Sequence, residues 1–533
     1  MSRNLVAIAG LAGALAALPN ASQAKGLQDL GRAPEALNVR VAVTLAYRHP
    51  DELTALVAAQ SDRRSLLFRH YLTNAQFNAY FAPAPAAQAT VVTALERAGF
   101  RIEHTYPNRT VVDAVASRSA AERFFSVIID AVAQPGQGVR YASTGPAKIP
   151  PALRGLVVAV AGLDNLISFA PRYITGNAPP AWPPSAGGPL KGGSGHYGPL
   201  AYAQGYDEPV QHGYDGSGRS IGTSMAGNLS DKDLRAYLRY FGTRLKHPLV
   251  RISVDGGALG RNDVETTLDV EAMAGTTPGA QLYLYSFPDF TDKAAEDTYN
   301  QVVSDNLVDV LNSSWGGCET DKGRLGRAFS LASNVIFEQG ASKGITFPIA
   351  TGDYGADSCG EWRNKYVESS AGSDPYALAV GGTELKVDGS GNWVSETGWS
   401  GSAGGVSLLF EQPYYQVGIA GTQPSGRNLP DIALAAGATS AFDIYYRGRW
   451  APVWGTSLSS PLFAGMEGQI DQFVGSRIGF VNPALYGVLT GSQYGVEFHD
   501  IVKGNNGYPA GPGYDLVTGI GSPIGWALAE SRI

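Results

Sequence analysis

Cysteine, charge and long apolar runs are all scarce in this chain, and each scarcity excludes something. Only 2 cysteines occur among 533 residues, and two lone thiols make a poor metal site. In an exported chain an even pair reads as one disulfide, Cys318–Cys359, with two buried free thiols as the alternative. Charged residues make up 16% and hydrophobic ones 44%, which excludes global disorder and allows a core large enough for more than one domain. The longest apolar run, residues 5–18, falls short of the ~20 residues a membrane span needs. It follows Arg3 and precedes small residues ending Ala21-Ser22-Gln23-Ala24-Lys25, so it reads as a secretory signal peptide over 1–24, with an anchor or helical terminus as the alternative. Export is the expectation, with no membrane span. What is abundant is Gly (67) and Tyr (26), a composition suited to a loop-rich extracellular enzyme rather than a helical bundle or coiled coil.

Charge is unevenly placed. Residues 25–190 carry 16 Lys+Arg against 11 Asp+Glu, whereas 191–533 carry 23 against 36. A basic N-terminal part beside an acidic remainder suggests electrostatically complementary halves, or two unrelated surface biases, and argues against nucleic acid as a partner.

After the leader, residues 39–47 read as a strand, 51–60 and 86–98 as helices, and 109–116 as a strand running into a helix over 119–125. This predicts a small α+β unit over 25–175. Residues 176–199 follow, with Pro-Pro and Gly-Gly each twice, an exposed, extended composition open to cleavage. Beyond it, buried strands at 282–286, 308–313, 345–350 and 377–380 alternate with helical stretches. Such alternation predicts a mainly parallel sheet covered by helices, with functional loops at the strands' carboxyl ends.

The most informative stretch is Gly455-Thr456-Ser457-Leu458-Ser459-Ser460-Pro461. Glycine before a serine that opens an apolar helix exposes the hydroxyl and sets its amide at the positive helix end, where an oxyanion is stabilised. Ser457 is therefore a candidate nucleophile, a Ser-rich helix cap being the other reading. A serine needs a base, and the supply of histidine is thin. None of the seven lies in a His-Gly-Thr helix start. Glu265 and Asp269, four apart in a helix capped by Asn262 or Asp263, offer a different base. With Val264, Leu268 and Ala272 as the buried stripe, the two carboxylates are expected on an adjoining face at the core's rim. Carboxylates so close repel when both are ionised, so one holds a proton and the pair can relay it. The bland reading is two exposed residues on an ordinary helix.

Glu-x-x-x-Asp upstream of Gly-Thr-Ser-x-Ser-x-Pro, without a histidine, resembles the sedolisin (serine-carboxyl peptidase) family. Ser314-Trp315-Gly316, Gly352-Asp353-Tyr354-Gly355, the run from Ser373 to Thr383 and Arg427-Asn428-Leu429-Pro430-Asp431 resemble family landmarks in family order. The run from Leu72 to Pro83 resembles an activation propeptide of the kumamolisin type. The resemblance implies Ser457 as nucleophile, Glu265 as general base and acid, Asp269 as its partner, and Asp353 as the acid that receives the oxyanion. A protonated carboxyl donates to O⁻ whereas an ionised one repels it, so Asp353 must keep its proton while Glu265 accepts one. With reference values near 4, that compromise implies activity at about pH 3 to 5. One departure stands out: the family usually has Gly-Asp-Ser-Gly where this chain has Tyr354 after Asp353.

The resemblance also implies one structural Ca²⁺, held by the side chains of Asp500 and Asp515 and the carbonyls of Ile501, Gly511 and Gly513. Two aspartates among glycine-lined turns provide the oxygens that this hard ion requires. A Cys318–Cys359 disulfide would brace the loop carrying Asp353. The fold implied is a subtilisin-like α/β catalytic domain over 200–533, preceded by an α+β propeptide. The protein is then expected to be a secreted, monomeric acid peptidase that acts on proteins or peptides. Its own propeptide inhibits it and aids folding, and acid loosens the pairing of the halves. The rivals are a histidine-dependent subtilisin-like peptidase, a non-catalytic binding protein on the same fold, and a carboxylate-pair glycosidase, whose chemistry gives Ser457 no use.

Overall fold

The computed structural model describes residues 27–179, 181, 188–258, 260, 262–319, 326–357, 359 and 371–533. The expected signal peptide, 1–24, and part of the 176–199 segment lie outside these residues.

The N-terminal unit is built on an antiparallel sheet in the order Arg101–Thr105, Val111–Ser117, Asn38–Leu45, Val157–Ala161. Helices Pro85–Arg97 and Arg118–Phe125 pack against this sheet. The Asn38–Leu45 strand is buried on both faces over its second half because a second layer covers it. That layer belongs to the C-terminal unit: helices Asp292–Asp305 and Gly326–Ser342 pack against the sheet and the Pro50–Ser61 helix. The interface is mostly neutral hydrogen bonds. Asn108 Nδ2 donates to Asn300 Oδ1 at 2.8 Å, Asn74 Nδ2 to the Ser304 carbonyl at 2.9 Å and Gln60 Nε2 to the Ser342 carbonyl at 3.1 Å. Val57 joins the C-terminal unit's own apolar core, so the two units share a continuous interior. A charged contact also spans them, Lys293 Nζ to Asp113 Oδ1 at 3.4 Å. Here the carboxylate comes from the basic half and the cation from the acidic half, so the net charge bias does not describe this contact.

The C-terminal unit contains the expected parallel sheet. Its strands run Val250–Ser253, Gln281–Ser286, Ser220–Met225, Val310–Asn312, all parallel. Parallel bridges from Val310 to Thr346 and from Ser313 to Ile349 continue the sheet into Pro348–Ala350, Leu378–Val387 and Ile432–Ala435. Sequence periodicity misses the central Ser220–Met225 strand. It is rich in Ser, Gly and Thr, yet residues 221–225 are buried because strands flank both edges and Val308 and Tyr283 lie against Gly222. The subtilisin-like, mainly parallel architecture is as expected. Its consequence is that the loops after Asn312 and Ala350, and the start of the long Thr456–Val474 helix, converge at one end of the sheet.

Candidate active site

Strand Arg449–Trp454 feeds directly into the Thr456–Val474 helix through Gly455, whose φ is 133°. Only glycine suits this turn, on two counts. The φ lies in the region side chains avoid, and a Cβ would stand 2.5 Å from the Arg172 carbonyl oxygen and 2.6 Å from Asp353 Oδ2. Ser457 is the second residue of the helix, so its amide is one of the four left without an intrahelical acceptor. That amide donates to the Arg172 carbonyl at 2.9 Å, while Ser457 Oγ donates to the Ser314 carbonyl at 3.2 Å. Pro461, four residues on, cannot donate to the Ser457 carbonyl, and Ser314 Oγ approaches that carbonyl at 3.4 Å instead.

The second element is helix Val264–Thr276. Asp263 caps it, accepting from the Thr266 amide at 2.8 Å, which selects one of the two caps left open by the sequence. The expected position at the core's rim is wrong. Glu265 and Asp269 are both 0% exposed, because the helix packs against the Thr456–Val474 helix on one side and the Phe442–Tyr446 strand on another. Asp269 is held firmly, Oδ1 accepting from Ser314 Oγ and Oδ2 from Thr223 Oγ1, each at 2.6 Å. Neither oxygen of Glu265 has a hydrogen-bond partner among the described residues. Burial pushes Glu265 well above its usual value and the neighbouring Asp269 adds to this, whereas the nearby Ser457 hydroxyl pulls the other way. Burial also raises Asp269, to about 7, against the two hydroxyls that hold it down. Both shifts favour a shared proton on this pair, and Glu265, the less tethered member, is the one near the Ser457 hydroxyl.

The third element is the loop after strand Pro348–Ala350. Asp353 is buried, and its Oδ1 accepts from the Thr456 amide at 2.7 Å and from Thr456 Oγ1 at 3.0 Å. Its other oxygen lies beside Gly455, on which the Arg172 carbonyl also closes. Tyr354, the departure from the family pattern, is 43% exposed. The Cys318–Cys359 disulfide is present, with Cα atoms 5.8 Å apart, and joins the loops following Gly316 and Asp353.

Four chemistry-bearing residues from two helices and one loop thus meet near the start of the Ser457 helix. Sequence reasoning missed the scaffold that positions them. Asn312 Nδ2 donates to Thr223 Oγ1 at 3.1 Å and to Ser314 Oγ at 3.0 Å, and its Oδ1 accepts from Ser460 Oγ at 2.6 Å. Ser314 was legible as part of a family landmark. Thr223 was not, because its strand was unrecognised. Among the described contacts of Ser457, Glu265, Asp269 and Asp353, no histidine takes part. His212 pairs with Asp207 and stacks on Trp526, and His499 stacks on Trp393.

A separate loop brings together the five residues considered for calcium. The Gly511 amide donates to Asp515 Oδ2 at 2.9 Å, and the Gly513 amide to Asp500 Oδ1 at 3.1 Å. Asp515 also accepts from the Val517 and Thr518 amides, each at 2.8 Å. The carbonyls of Ile501, Gly511 and Gly513 accept from no donor among the described residues. Two carboxylates and three uncommitted carbonyls on one loop form an all-oxygen donor set that fits a hard cation.

Residues 25–166 match the family "Pro-kumamolisin, activation domain", and residues 254–482 match the subtilase family. The chain is 29% identical to sedolisin of Pseudomonas sp. (strain 101) over 518 residues, covering 92% of this chain and 85% of that one. It is also 29% identical to kumamolisin of Bacillus sp. (strain MN-32) over 546 residues, covering 95% and 94%. The solved structure of Pseudomonas sedolisin, a serine-carboxyl proteinase complexed with two molecules of pseudo-iodotyrostatin, superposes with a TM-score of 0.57 at 28% identity. That match covers 65% of this chain and 98% of the solved one.

Proposed function

The chain belongs to the sedolisin family of serine-carboxyl peptidases and carries a pro-kumamolisin activation domain, and from that premise we propose that it is a secreted peptidase acting in acid through Ser457, Glu265, Asp269 and Asp353. In this reading Ser457 Oγ attacks the carbonyl carbon of a peptide bond and passes its proton to Glu265. The carbonyl oxygen, now negative, is met by the Ser457 amide and by the protonated carboxyl of Asp353. Glu265 then gives the proton to the leaving amine. Water releases the acyl group by the same route in reverse, with Asp269 sharing the proton that Glu265 carries.

The observation that carries this reading is the convergence of two buried, proton-sharing carboxyls and a third beside one helix-end serine amide. Asp353 can donate only while protonated, which favours acid. Filling of the cleft by the chain itself holds Glu265 up, and water entering the emptied cleft relieves that burial and lets Glu265 accept a proton at lower pH. Asp500, Asp515 and the carbonyls of Ile501, Gly511 and Gly513 would hold a structural Ca²⁺, whose charge ties the loop's oxygens together. The leader over 1–24 directs export, the mature form is a monomer, and neither nucleic acid nor membrane is a partner. No helix among the described residues is long and apolar enough to cross a membrane.

The test is digestion of a peptide library from pH 2 to 8 by the processed protein, beside Ser457→Ala. Hydrolysis that survives the alanine, or is fastest at neutral pH, overturns the reading. Chelation should lower the unfolding temperature reversibly, since a ligand at a hundredfold excess over Kd adds about 2.7 kcal/mol. An unchanged melting curve would remove calcium from the account.

A further inference from the structure

Residues 170–175 run extended across the site, and their hydrogen bonding has a definite frame. On the amino-terminal side, Ala170–Pro171 pairs antiparallel with Trp315–Gly316, Pro171 opposite Trp315. The Arg172 amide extends this pairing by donating to the Ser314 carbonyl at 2.9 Å. On the carboxyl-terminal side, Ile174–Thr175 pairs antiparallel with strand Arg449–Trp454, Ile174 opposite Trp454 and Thr175 opposite Val453. Only Tyr173 lies between the two ladders, and the peptide bond that enters it is Arg172–Tyr173. That bond's carbonyl oxygen accepts from the Ser457 amide at 2.9 Å, and that oxygen, Asp353 Oδ2 and Tyr173 Cα all lie within 2.9 Å of where a Gly455 Cβ would stand. The Arg172 side chain is buried; burial raises the Tyr173 hydroxyl, and the nearby Glu265 and Asp263 add to this.

We infer that the Arg172–Tyr173 bond is the precursor's own first substrate, cut by Ser457 within the same chain. The inference rests on the peptidase reading above and adds which bond is cut. Two flanking ladders fix the bond's height over the helix end, and the oxygen that becomes negative on attack already accepts from the amide that would stabilise it. Ser457 Oγ bonds to the Arg172 carbonyl carbon as its proton moves to Glu265. The carbon–nitrogen bond breaks as that proton moves to the Tyr173 nitrogen. Water then hydrolyses the ester, restoring the Ser457 hydroxyl and leaving a carboxylate on Arg172. The cut falls upstream of the Gly- and Pro-rich 176–199 segment where composition placed it. It also predicts that the subsite before the scissile bond accepts arginine. The N-terminal fragment remains docked by the interface with Asp292–Asp305 and Gly326–Ser342, so cleavage precedes release.

The experiment is a time course on the purified full-length precursor shifted to acid, read by intact mass and N-terminal sequencing, with peptide hydrolysis followed in parallel. The expected earliest products end at Arg172 and begin at Tyr173. They co-elute at first and are absent from Ser457→Ala. Tyr173→Pro should slow that cut about a hundredfold by disturbing the aligned leaving nitrogen, while its mature form hydrolyses an unrelated peptide at the wild-type rate. An active mature form whose earliest new terminus lies elsewhere, or a Tyr173→Pro precursor that is cut at this bond at the wild-type rate, overturns the bond assignment and leaves the peptidase reading intact. A chain that neither processes nor hydrolyses peptides at any pH overturns both.

Discussion

Two helices of the C-terminal unit each carry Glu-x-x-x-Asp, and both pairs are fully buried: Glu265 with Asp269, and Glu467 with Asp471. Burial raises all four carboxyls, and within each pair the neighbouring aspartate adds to the shift on the glutamate. Spacing, burial and electrostatics therefore do not separate a reactive pair from an inert one. Neighbours do. Glu467 accepts from Thr346 Oγ1, and Asp471 Oδ1 accepts from the Ile478 amide at 2.7 Å. These contacts sit about three and four turns beyond the end that carries Ser457, toward the helix's other end. The first pair instead lies beside that end and the cleft. On the function proposed above, a serine within reach turns a costly buried pair into chemistry, and without one the same pair serves packing.

The comparison is broken or sharpened by matched amide substitutions. The largest effect expected is on turnover. Glu265→Gln should lower kcat/KM by about 10⁴-fold or more, as loss of a base in a nucleophile–base unit does, whereas Glu467→Gln should stay within about tenfold of wild type. Equal losses would mean that the two pairs are not functionally distinct. Next is Asp353→Ala, expected to cost about 10²- to 10³-fold in kcat, the usual effect of removing one oxyanion donor. Asp353→Asn, which donates whatever the pH, should lose less and keep its activity to higher pH than wild type. An unchanged alkaline limb would show that ionisation of Asp353 does not set it.

The smallest effect is on stability, and here both pairs should behave alike. A carboxyl whose folded value is raised binds more protons folded than unfolded. Its contribution is full below the unfolded value near 4.3 and is lost as pH rises through the folded value. Glu265→Gln and Glu467→Gln should each make unfolding free energy fall less steeply between about pH 5 and 8, by about 1 kcal/mol or more across that range. Denaturant titrations at several pH values read this directly, and a steeper fall in either variant would contradict the burial argument.

Much of the site was legible from residues because its parts are local. Gly455 before Ser457, a cap at Asn262 or Asp263 and the i, i+4 spacing of Glu265 and Asp269 are properties of single helix ends and faces, which short-range sterics and hydrogen bonding determine. The alternation of strands and helices was legible for the same reason, and it brought the parallel sheet with it. Where reading failed, the cause was burial by something distant in sequence. Ser220–Met225 looks polar yet is a central strand, and the carboxylate pair looks exposed yet is sealed.

Local chemistry in the chain thus determined the candidate nucleophile, the candidate base pair and the cysteines available for a bridge. Tertiary structure alone decided that Ser314 and Thr223 hold Asp269, that Asp353 lies beside Gly455, and that Arg172 lays its carbonyl on the Ser457 amide. These contacts join residues separated by up to 285 positions along the chain, and no propensity or period reaches that far. Only packing of the sheet's loop ends against one helix end places them within hydrogen-bonding distance.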